Sequence, residues 1–504
     1  MSERLAFNTG AGSGAVRRLG RAQNPKYLRL FTYEAEPDRS AAARRSRSVR
    51  MPVTSHTEWD WRGLLGFTAV LFLRPQDQLP GITALHLAEI FALIGILGLV
   101  VGRLARGLPI VHVTPEVVAL AAFGGAILIG LPFSIWPGGV LAVFTDIYVK
   151  LLAIFVLMVT VLSRPQRIEQ FAFLIVMASG YIAARAVFDY LRGVNLIENT
   201  ARVGGAVGGI FGNPNDLALN MVAFLPFALL FAFKPGPPTR RLMAAGVALL
   251  MLLTVVLTKS RGGALGLVVM TTVLVVRSVR VRPSIAAGTL AAVILAMPLA
   301  PTSFWDRMVS IFVAERDPTG SRQARLDVLE EGWRVFLAYP IVGVGAGQFE
   351  NYNPPGRQEA WRVNHNALLQ VASETGILGL VPFLFLIVSG FLAARTARRA
   401  LAGPRTRIRP GAPRGPTVPD TADPEGDSLL LMTTAITPSL AGWLVSAQFA
   451  SVALNWTFYY VLAIAIAIRE LAVARAATVA TVDGAASLRA GVRGDPSLLR
   501  PASR

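Results

Sequence analysis

The chain has 504 residues, of which 53% are hydrophobic and 16% are charged, with a formal net charge of +19. Its mean hydropathy of +0.52 is too high for a soluble globular protein and indicates a polytopic membrane protein. Excess arginine in that class collects in cytoplasmic loops beside anionic headgroups, so we expect membrane lipids and no nucleic acid as partners. The absence of cysteine excludes disulfides and thiolate chemistry, and four scattered histidines do not suggest a metal site.

The first segment, residues 1–60, is polar, rich in arginine and without apolar periodicity, which predicts a disordered basic arm in the cytoplasm. It lacks the apolar core of a signal peptide. Met51 is a more ordinary start for a membrane protein, so we expect residues 1–50 to be either a dispensable tail or sequence upstream of the true start.

From residue 61 onward, apolar runs of membrane-spanning length alternate with short basic hinges. We predict an all-α polytopic membrane protein with about twelve transmembrane helices. The first nine lie in residues 61–302, the last three lie in residues 365–471, and residues 472–504 form a tail. The predicted spans are residues 61–73, 85–101, 115–135, 139–162, 171–190, 217–233, 242–257, 263–276, 284–300, 376–392, 429–449 and 452–468.

The arginines and lysines between the spans predict the orientation of the chain. The even-numbered loops, including the Pro- and Arg-rich loop 396–428, are basic, and the short odd-numbered loops carry few cations. The positive-inside rule therefore places the even loops and both termini in the cytoplasm. The longest odd loop, residues 303–364, is then a large periplasmic loop containing amphipathic helices.

Two shorter outward segments carry unusual polar residues. In GGIFGNPNDLALN, Asn213–Pro214 predicts a turn and Asn215 a helix N-cap, with capping as its main role. In LTKSRGGALG, Arg261 is expected at a tight turn beside Gly262 and Gly263. Arg261 is either an interfacial arginine that snorkels to the headgroups or an anion ligand, because small neighbours let a phosphate approach its guanidinium.

The long loop contains a helix that we expect to begin at Ser321 and to stop at Pro340. Arg322 and Arg325 fall on one face of its first turn, where cations oppose the helix dipole unless an anion is bound. The alternative is that both are solvated loop charges. Apolar residues recur at helical spacing, so this helix is expected to lie along the membrane surface. These residues are Leu326, Leu329, Trp333, Phe336 and Leu337.

The end of the loop leads into the tenth span. PIVGVGAGQF predicts a turn that returns the chain to the membrane, and VNHNALLQVASETGILGL opens the span. Asn364 is the predicted N-cap, which puts His365 in the first turn. A helix N-terminus disfavours imidazolium, so His365 should be neutral and able to accept a proton. The alternative is a capping-turn histidine without a chemical role.

The order of FGNPND, SRGG, RLDVLEEGWRVFLAYPIVGVGAGQF and HNALLQVASETGILGL resembles the O-antigen ligase and polymerase family of bacterial inner-membrane glycosyltransferases. The resemblance implies transfer of a glycan from undecaprenyl diphosphate to an acceptor hydroxyl, without metal, nucleotide or other cofactor. It implies catalytic roles for Arg261, Arg325 and His365. The residues expected to bind substrate are Arg322, Arg202, Asn215 and Asn366.

Several functions stay open at this point. A ligase would place polymer on lipid A-core or a similar acceptor, a repeat-unit polymerase would extend a growing polysaccharide, and a protein O-oligosaccharyltransferase would modify a protein. A transporter of polysaccharide lipids would instead use ionisable groups within the membrane, for which Asp146, Lys150 and Arg185 are candidates. The polar residues collect at one membrane face, which favours a glycosyltransferase over a transporter.

Overall fold

The structure is a computed structural model that describes residues 58–78, 81, 85–197, 202–205, 211–311, 313, 321–353, 363–402 and 423–494. Of the predicted basic arm, only residues 58–60 are described, and residues 403–422 of the predicted cytoplasmic loop also lie outside the described part. Within these residues the strands are β1 (Leu196–Ile197) and β2 (Arg202–Val203), which pair antiparallel. Almost everything else is helix, and the predicted all-α class is confirmed.

The helices follow the apolar runs of the sequence, because within a bilayer a single segment can satisfy its own backbone only as a helix. They are α1 (Trp59–Leu73), α2 (Pro75–Gln78), α3 (Leu87–Leu104), α4 (Pro115–Gly130), α5 (Pro137–Ala142), α6 (Val149–Val161), α7 (Pro165–Leu191), α8 (Pro214–Phe233), α9 (Pro238–Thr258), α10 (Arg261–Ser278), α11 (Pro283–Ala296), α12 (Thr302–Val309), α13 (Ser321–Ala338), α14 (Ala367–Ala402), α15 (Pro424–Ser446) and α16 (Trp456–Gly494). A π-helical segment, Val143–Tyr148, joins α5 to α6.

Ten helices in the described residues are long and apolar enough to cross a membrane, with α5 and α6 counted as one. An eleventh crossing is obtained if α11 and α12, which are bent by 105° at their junction, form one broken span. The predicted first span corresponds to α1, which has only 15 residues. The total of twelve transmembrane helices therefore stays a prediction. The predicted tail begins as a continuation of α16, which is helical to Gly494.

Proline marks the start of many of these helices, because its missing N–H is not needed at the first helical position and its φ already fits the helix. At α8, Pro214 takes that position, and the Asn213 side chain accepts a hydrogen bond from the Asn215 N–H at 2.8 Å. The prediction of Asn215 as the N-cap is wrong. The cap is Asn213, which leaves the Asn215 side chain available for other partners.

The most buried helices are α8 and the first half of α16. Every residue from Leu217 to Ala232 is buried, and α7, α9, α10 and α15 pack around this stretch. Residues 457–468 of α16 are also buried. Small residues allow this close packing: a Cβ on Gly266 of α10 would lie 2.7 Å from the carbonyl oxygen of Gly442 in α15.

Helix α13 begins at Ser321 and ends before Pro340, as predicted. The face that it buries differs from the predicted apolar face. Val328 and Val335 are almost fully buried and pack with Val344 and Phe349 of the turn that follows the helix. Three of the predicted apolar side chains are left about half exposed or more, namely Leu326, Trp333 and Leu337.

The glycine-rich turn after α13 packs into a break in α14. Gly376 interrupts that helix with φ 59° and ψ −160°. The backbone groups released there bond to the turn instead, which keeps them satisfied at a buried position. These bonds run from Ile377 N to Pro340 O at 2.8 Å, from Leu378 N to Ile341 O at 3.3 Å, from Val344 N to Ser373 O at 3.0 Å and from Gly345 N to Glu374 O at 2.9 Å.

Replacing Gly376 by alanine should destabilise this junction. A Cβ at Gly376 would overlap the backbone of Ile341, and this backbone conformation alone costs a residue with a side chain about 1–3 kcal/mol. We expect Gly376→Ala to lower the thermal unfolding midpoint of the protein in nanodiscs, followed by tryptophan fluorescence. Gly246→Ala in α9 is the control, since a Cβ there would meet nothing within 4 Å. Equal midpoints for the two variants would contradict this account of the junction.

Candidate active site

A cavity of about 190 Å³ brings the three predicted catalytic residues together. Arg261 comes from the start of α10, Arg325 from α13, and His365 from the segment that precedes α14. Five segments of the chain converge here, because the ends of α12 and α15 also reach the cavity. The other lining residues are Leu265, Ser310, Ile311, Leu326, Leu329, Asn364, Gln448 and Phe449.

Arg261 is held in place by the start of its own helix and by the end of α12. Ser260 caps α10, with its Oγ accepting from the Gly263 N–H at 3.1 Å, so Arg261 is the first helical residue. Arg261 is 7% exposed, and its guanidinium donates to Ser310 Oγ and to the Arg307 carbonyl oxygen. A cation at a helix N-terminus opposes the dipole, and an anion bound beside it would be favoured by both.

The glycines beside Arg261 serve packing. A Cβ on Gly262 would lie 2.6 Å from Cβ of Phe449, and a Cβ on Gly263 would lie 2.5 Å from Cβ of Ala218 in α8. The SRGG motif therefore lets the start of α10 approach α8 and the end of α15 closely. This contact places Arg261 at the cavity wall.

Arg202 and Asn215 form a layer beside the cavity that supports Arg261. Arg202 donates from Nη2 to Asn215 Oδ1 and from Nε to the Thr258 carbonyl oxygen, both at 2.9 Å. Ser260 Oγ also donates to Asn215 Oδ1, at 2.8 Å. Neither Arg202 nor Asn215 lines the cavity, so their contacts are those of residues that position the Ser260 cap.

Several cations lie close to one another here. Burial and repulsion from Arg307, Arg325 and Arg261 lower the pKa of Arg202 to about 9. Burial and the charges of Arg307 and Arg202 likewise lower the pKa of Lys259. The part of each shift that comes from repulsion reports a positive potential that a bound anion would relieve.

His365 lies outside its helix, which corrects the predicted capping pattern. Asn366 is the N-cap of α14, because its Oδ1 accepts from the N–H groups of Leu368 and Leu369, both at 3.0 Å. Asn364 is therefore not the cap, and His365 is not in the first turn. His365 has a left-handed backbone with φ 52°, and its N–H donates to Ser451 Oγ at 2.9 Å.

His365 is neutral for a different reason from the predicted one. Burial, followed by repulsion from Arg325, lowers its pKa to about 4. The predicted cause was the helix dipole. The shift also shows that the imidazole lies within the field of the Arg325 guanidinium.

The remaining predicted residues lie away from the cavity or outside the described part. Asn366 caps α14 and donates from Nδ2 to Gln448 Oε1 at 3.1 Å. Arg322 lies in the first turn of α13, and its side chain is outside the described part of the structure. Prediction from sequence missed Ser310 and Gln448, which carry no motif and reach the cavity only through tertiary packing, and it treated Asn364 only as a helix cap.

The ionisable residues proposed for a transport route lie elsewhere. Lys150 Nζ is 3.3 Å from Glu89 Oε1, and Arg185 Nε is 3.0 Å from Asp189 Oδ1. Asp146 and Lys150 line a separate cavity of about 640 Å³ between α1, α3 and α6. Within the described residues, no group of three or more His, Asp or Glu side chains is arranged to hold a metal ion.

The low pKa of His365 should make folding less favourable in acid. Between pH 6.5, the ordinary histidine value, and about pH 4, the unfolded chain binds a proton at this site that the folded chain does not. This contribution to stability is present above pH 6.5 and is lost as pH falls. We expect the unfolding midpoint of His365→Gln to rise relative to that of the wild type as the pH is lowered from 7 to 4.5. A difference between the two proteins that does not change with pH would show that the imidazole is not held neutral.

One comparison with known proteins matches part of the chain. Residues 246–384 match the family model described as O-antigen ligase. This segment includes Arg261, Arg325 and His365, whereas Arg202 and Gln448 lie outside it. No curated protein matches the chain. The matched segment lies in a fold rich in apolar helices of membrane-spanning length, and the match supports a relationship of this segment to the O-antigen ligase family.

Proposed function

We propose that this protein transfers a glycan from undecaprenyl diphosphate to an acceptor hydroxyl at the periplasmic face of a bacterial inner membrane. The observation that carries the proposal is the single cavity shared by Arg261, Arg325 and His365. Two guanidinium groups and a neutral imidazole are suited to the two halves of such a reaction. The guanidinium groups bind a diphosphate, and the imidazole accepts the proton of a hydroxyl.

The orientation rests on the distribution of charge along the chain. If α1 and the bent pair α11–α12 each count as one crossing, the predicted twelve spans are restored, and both termini are cytoplasmic by the positive-inside rule. The cavity joins the start of α10, the start of α14 and the end of α15, which this count puts on the same outer side. Lys234 and Arg240, from an even loop, both pair with Glu169 near the start of α7, on the opposite side.

The diphosphate is the leaving group of the proposed reaction. The bond between the anomeric carbon of the glycan and the diphosphate oxygen breaks, and the electron pair stays on that oxygen. Arg261 and Arg325 stabilise the charge that develops there, and Arg261 is already oriented by its hydrogen bonds to Ser310 and Arg307 before the reaction begins. Because these fixed cations take the place of a metal ion, transfer should continue in EDTA.

His365 completes the transfer by accepting the proton of the attacking hydroxyl as the new carbon–oxygen bond forms. Its free-protein pKa of about 4 makes it a weak base at neutral pH. Part of that lowering comes from Arg325, and a diphosphate dianion beside Arg325 would offset it. Binding of the donor therefore raises the basicity of His365 at the stage when the proton must be taken.

The size of the cavity limits what it encloses. A volume of about 190 Å³ corresponds to roughly six water molecules at about 30 Å³ each. It can hold the reacting groups, and the polyprenyl tail and the rest of the glycan must extend beyond it. The exposed Leu326, Trp333 and Leu337 on α13 would rest on the outer leaflet beside it, where aromatic and apolar side chains are favoured.

The acceptor is proposed to be lipid A-core or a similar lipid, which makes the protein a ligase. A repeat-unit polymerase uses the same donor and the same three residues, with a growing chain as the acceptor, and a protein O-oligosaccharyltransferase uses a protein hydroxyl. A transporter is less well supported, because Lys150 and Arg185 are each paired with a carboxylate nearby. The lateral cavity at Asp146 is the feature that would serve such a role.

Removing any of the three cavity residues should abolish transfer. We expect Arg261→Ala, Arg325→Ala and His365→Ala each to lower the rate at least ~100-fold, the lower end of the range for one acid–base or charge-stabilising group. The assay combines purified protein, undecaprenyl diphosphate-linked repeat unit, EDTA and a lipid acceptor. Arg334→Ala is the matched control, since Arg334 lies on the exposed side of α13 and pairs with Glu330.

Wild-type rates in all three variants would contradict the catalytic assignment. The same assay separates the candidate reactions, because a product that lengthens without added acceptor indicates a polymerase. Deletion in cells gives an independent result: loss of a ligase accumulates long lipid-linked chains, whereas loss of a polymerase leaves single repeat units.

A further inference from the structure

The cavity of about 640 Å³ between α1, α3 and α6 is separate from the catalytic cavity, and the proposed reaction does not use it. Its volume falls within the ~300–1,000 Å³ that is typical of ligand cavities. The ion pair between Lys150 and Glu89 connects the wall formed by α6 to the wall formed by α3. Of the 18 residues of α3, the buried ones are Gly95, Leu99 and Gly102. This helix therefore lies at the edge of the bundle, where the cavity beside it borders the lipid.

The lining of this cavity changes from charged to apolar along all three helices. Arg74 follows the last residue of α1, Glu89 lies in the first turn of α3, and Lys150 lies at the start of α6. Because α1 and α3 pack antiparallel, these charged residues share one end of the cavity. The larger apolar lining residues are Phe67, Leu71, Leu93, Ile96, Ile154 and Trp456. Those of α1, α3 and α6 lie deeper than the charged residues, which matches the two ends of a phospholipid.

Asp146 is a further carboxylate at the charged end, on the π-helical segment Val143–Tyr148. Its Oδ1 accepts from Thr145 Oγ1 at 3.2 Å. In the part of the chain that the structure describes, no lysine or arginine forms an ion pair with it. An ionised carboxylate beside lipid is costly unless a cation neutralises it, and π-helical segments are frequent at functional sites. We therefore expect the ligand of this cavity to carry the cation.

The two cations of the lining already have carboxylate partners. Lys150 pairs with Glu89, and Arg74 Nε lies 2.6 Å from Asp77 Oδ2. An ammonium has three N–H donors and a guanidinium five, so each side chain can also donate to the oxygens of a phosphate. The charged end thus offers donors for a phosphate and, at Asp146, an acceptor for an ammonium.

We propose that this cavity binds one phospholipid whose headgroup carries a primary ammonium. The ammonium pairs with Asp146, the phosphate accepts from Lys150 and Arg74, and an acyl chain lies along the apolar walls. Asp146 and Lys150 are four residues apart, so they lie about one helical turn apart on the same side, which suits neighbouring groups of one headgroup. An anionic headgroup would satisfy the cations and leave Asp146 without one. On the proposed orientation, the charged end faces the outer leaflet.

The test compares two phospholipids with identical acyl chains, added to the full-length protein in detergent and counted by native mass spectrometry. We expect the wild type to bind one phosphatidylethanolamine at least ~10-fold more tightly than phosphatidylglycerol, the factor expected for one charge-assisted hydrogen bond. Asp146→Asn removes the charge and keeps the shape, so it should bind phosphatidylethanolamine ~10-fold more weakly and lose the preference. Asp327→Asn is the matched control, since Asp327 is exposed on α13 and accepts from Gln323.

A third variant tests the apolar part of the cavity. Ala153→Phe adds a ring to the wall formed by α6, so it should weaken the binding of both phospholipids without changing the preference between them. Equal affinity of the wild type for the two phospholipids would overturn the inference, and so would an unchanged preference in Asp146→Asn. Tighter binding of undecaprenyl phosphate than of phosphatidylethanolamine would also overturn it and would assign the cavity to a polyprenyl lipid. The wild-type comparisons need no variant and stay decisive if a variant fails to fold.

Discussion

The exchange of backbone hydrogen bonds between the glycine-rich turn and the break in α14 is the constraint on which the rest of the site depends. A helix broken at a buried position must find new partners for its released N–H and C=O groups, and Pro340 through Gly345 supply them. The same turn buries Val328 and Val335, which fixes α13. Because the turn joins α13 to α14 rigidly, it sets the distance between Arg325 on the first helix and His365 ahead of the second.

A second constraint is the accumulation of positive charge at one end of the helix bundle. Arg261 sits at a helix N-terminus, and Arg202 is buried in the field of three other arginines. Arrangements of this kind cost free energy, and a bound anion would offset that cost. Burial, and after it repulsion from Arg325, lowers the pKa of His365, so in the proposed reaction the basicity of His365 and the binding of a diphosphate beside Arg325 are coupled. A lipid-linked diphosphate bound beside these arginines would reduce the repulsion between them and raise the pKa of His365.

Most of the helices and three residues of the cavity could be predicted from the sequence. Apolar runs predicted the helices, and the resemblance of four ordered motifs singled out Arg261, Arg325 and His365. The N-caps were misplaced by two residues. At α8 the deciding signal was local, since Pro214 at the first helical position requires Asn213 as the cap. At α14 the deciding signal was not local, because the left-handed backbone of His365 depends on a contact with Ser451, which is far away in the chain. The buried face of α13 and the burial of Asn364 likewise depend on packing that the periodicity of the sequence does not show.

The measurement that tests the central claim most directly is binding of undecaprenyl diphosphate to the protein in nanodiscs, in EDTA and at low salt. Loss of one charge-assisted hydrogen bond costs about 1.5–3 kcal/mol, and each 1.4 kcal/mol is about a tenfold change in Kd. We therefore expect Arg261→Ala and Arg325→Ala each to bind at least ~10-fold more weakly than the wild type, with Arg334→Ala unchanged. Wild-type affinity in both cavity variants would contradict the account, because the two guanidinium groups would then not be the diphosphate site.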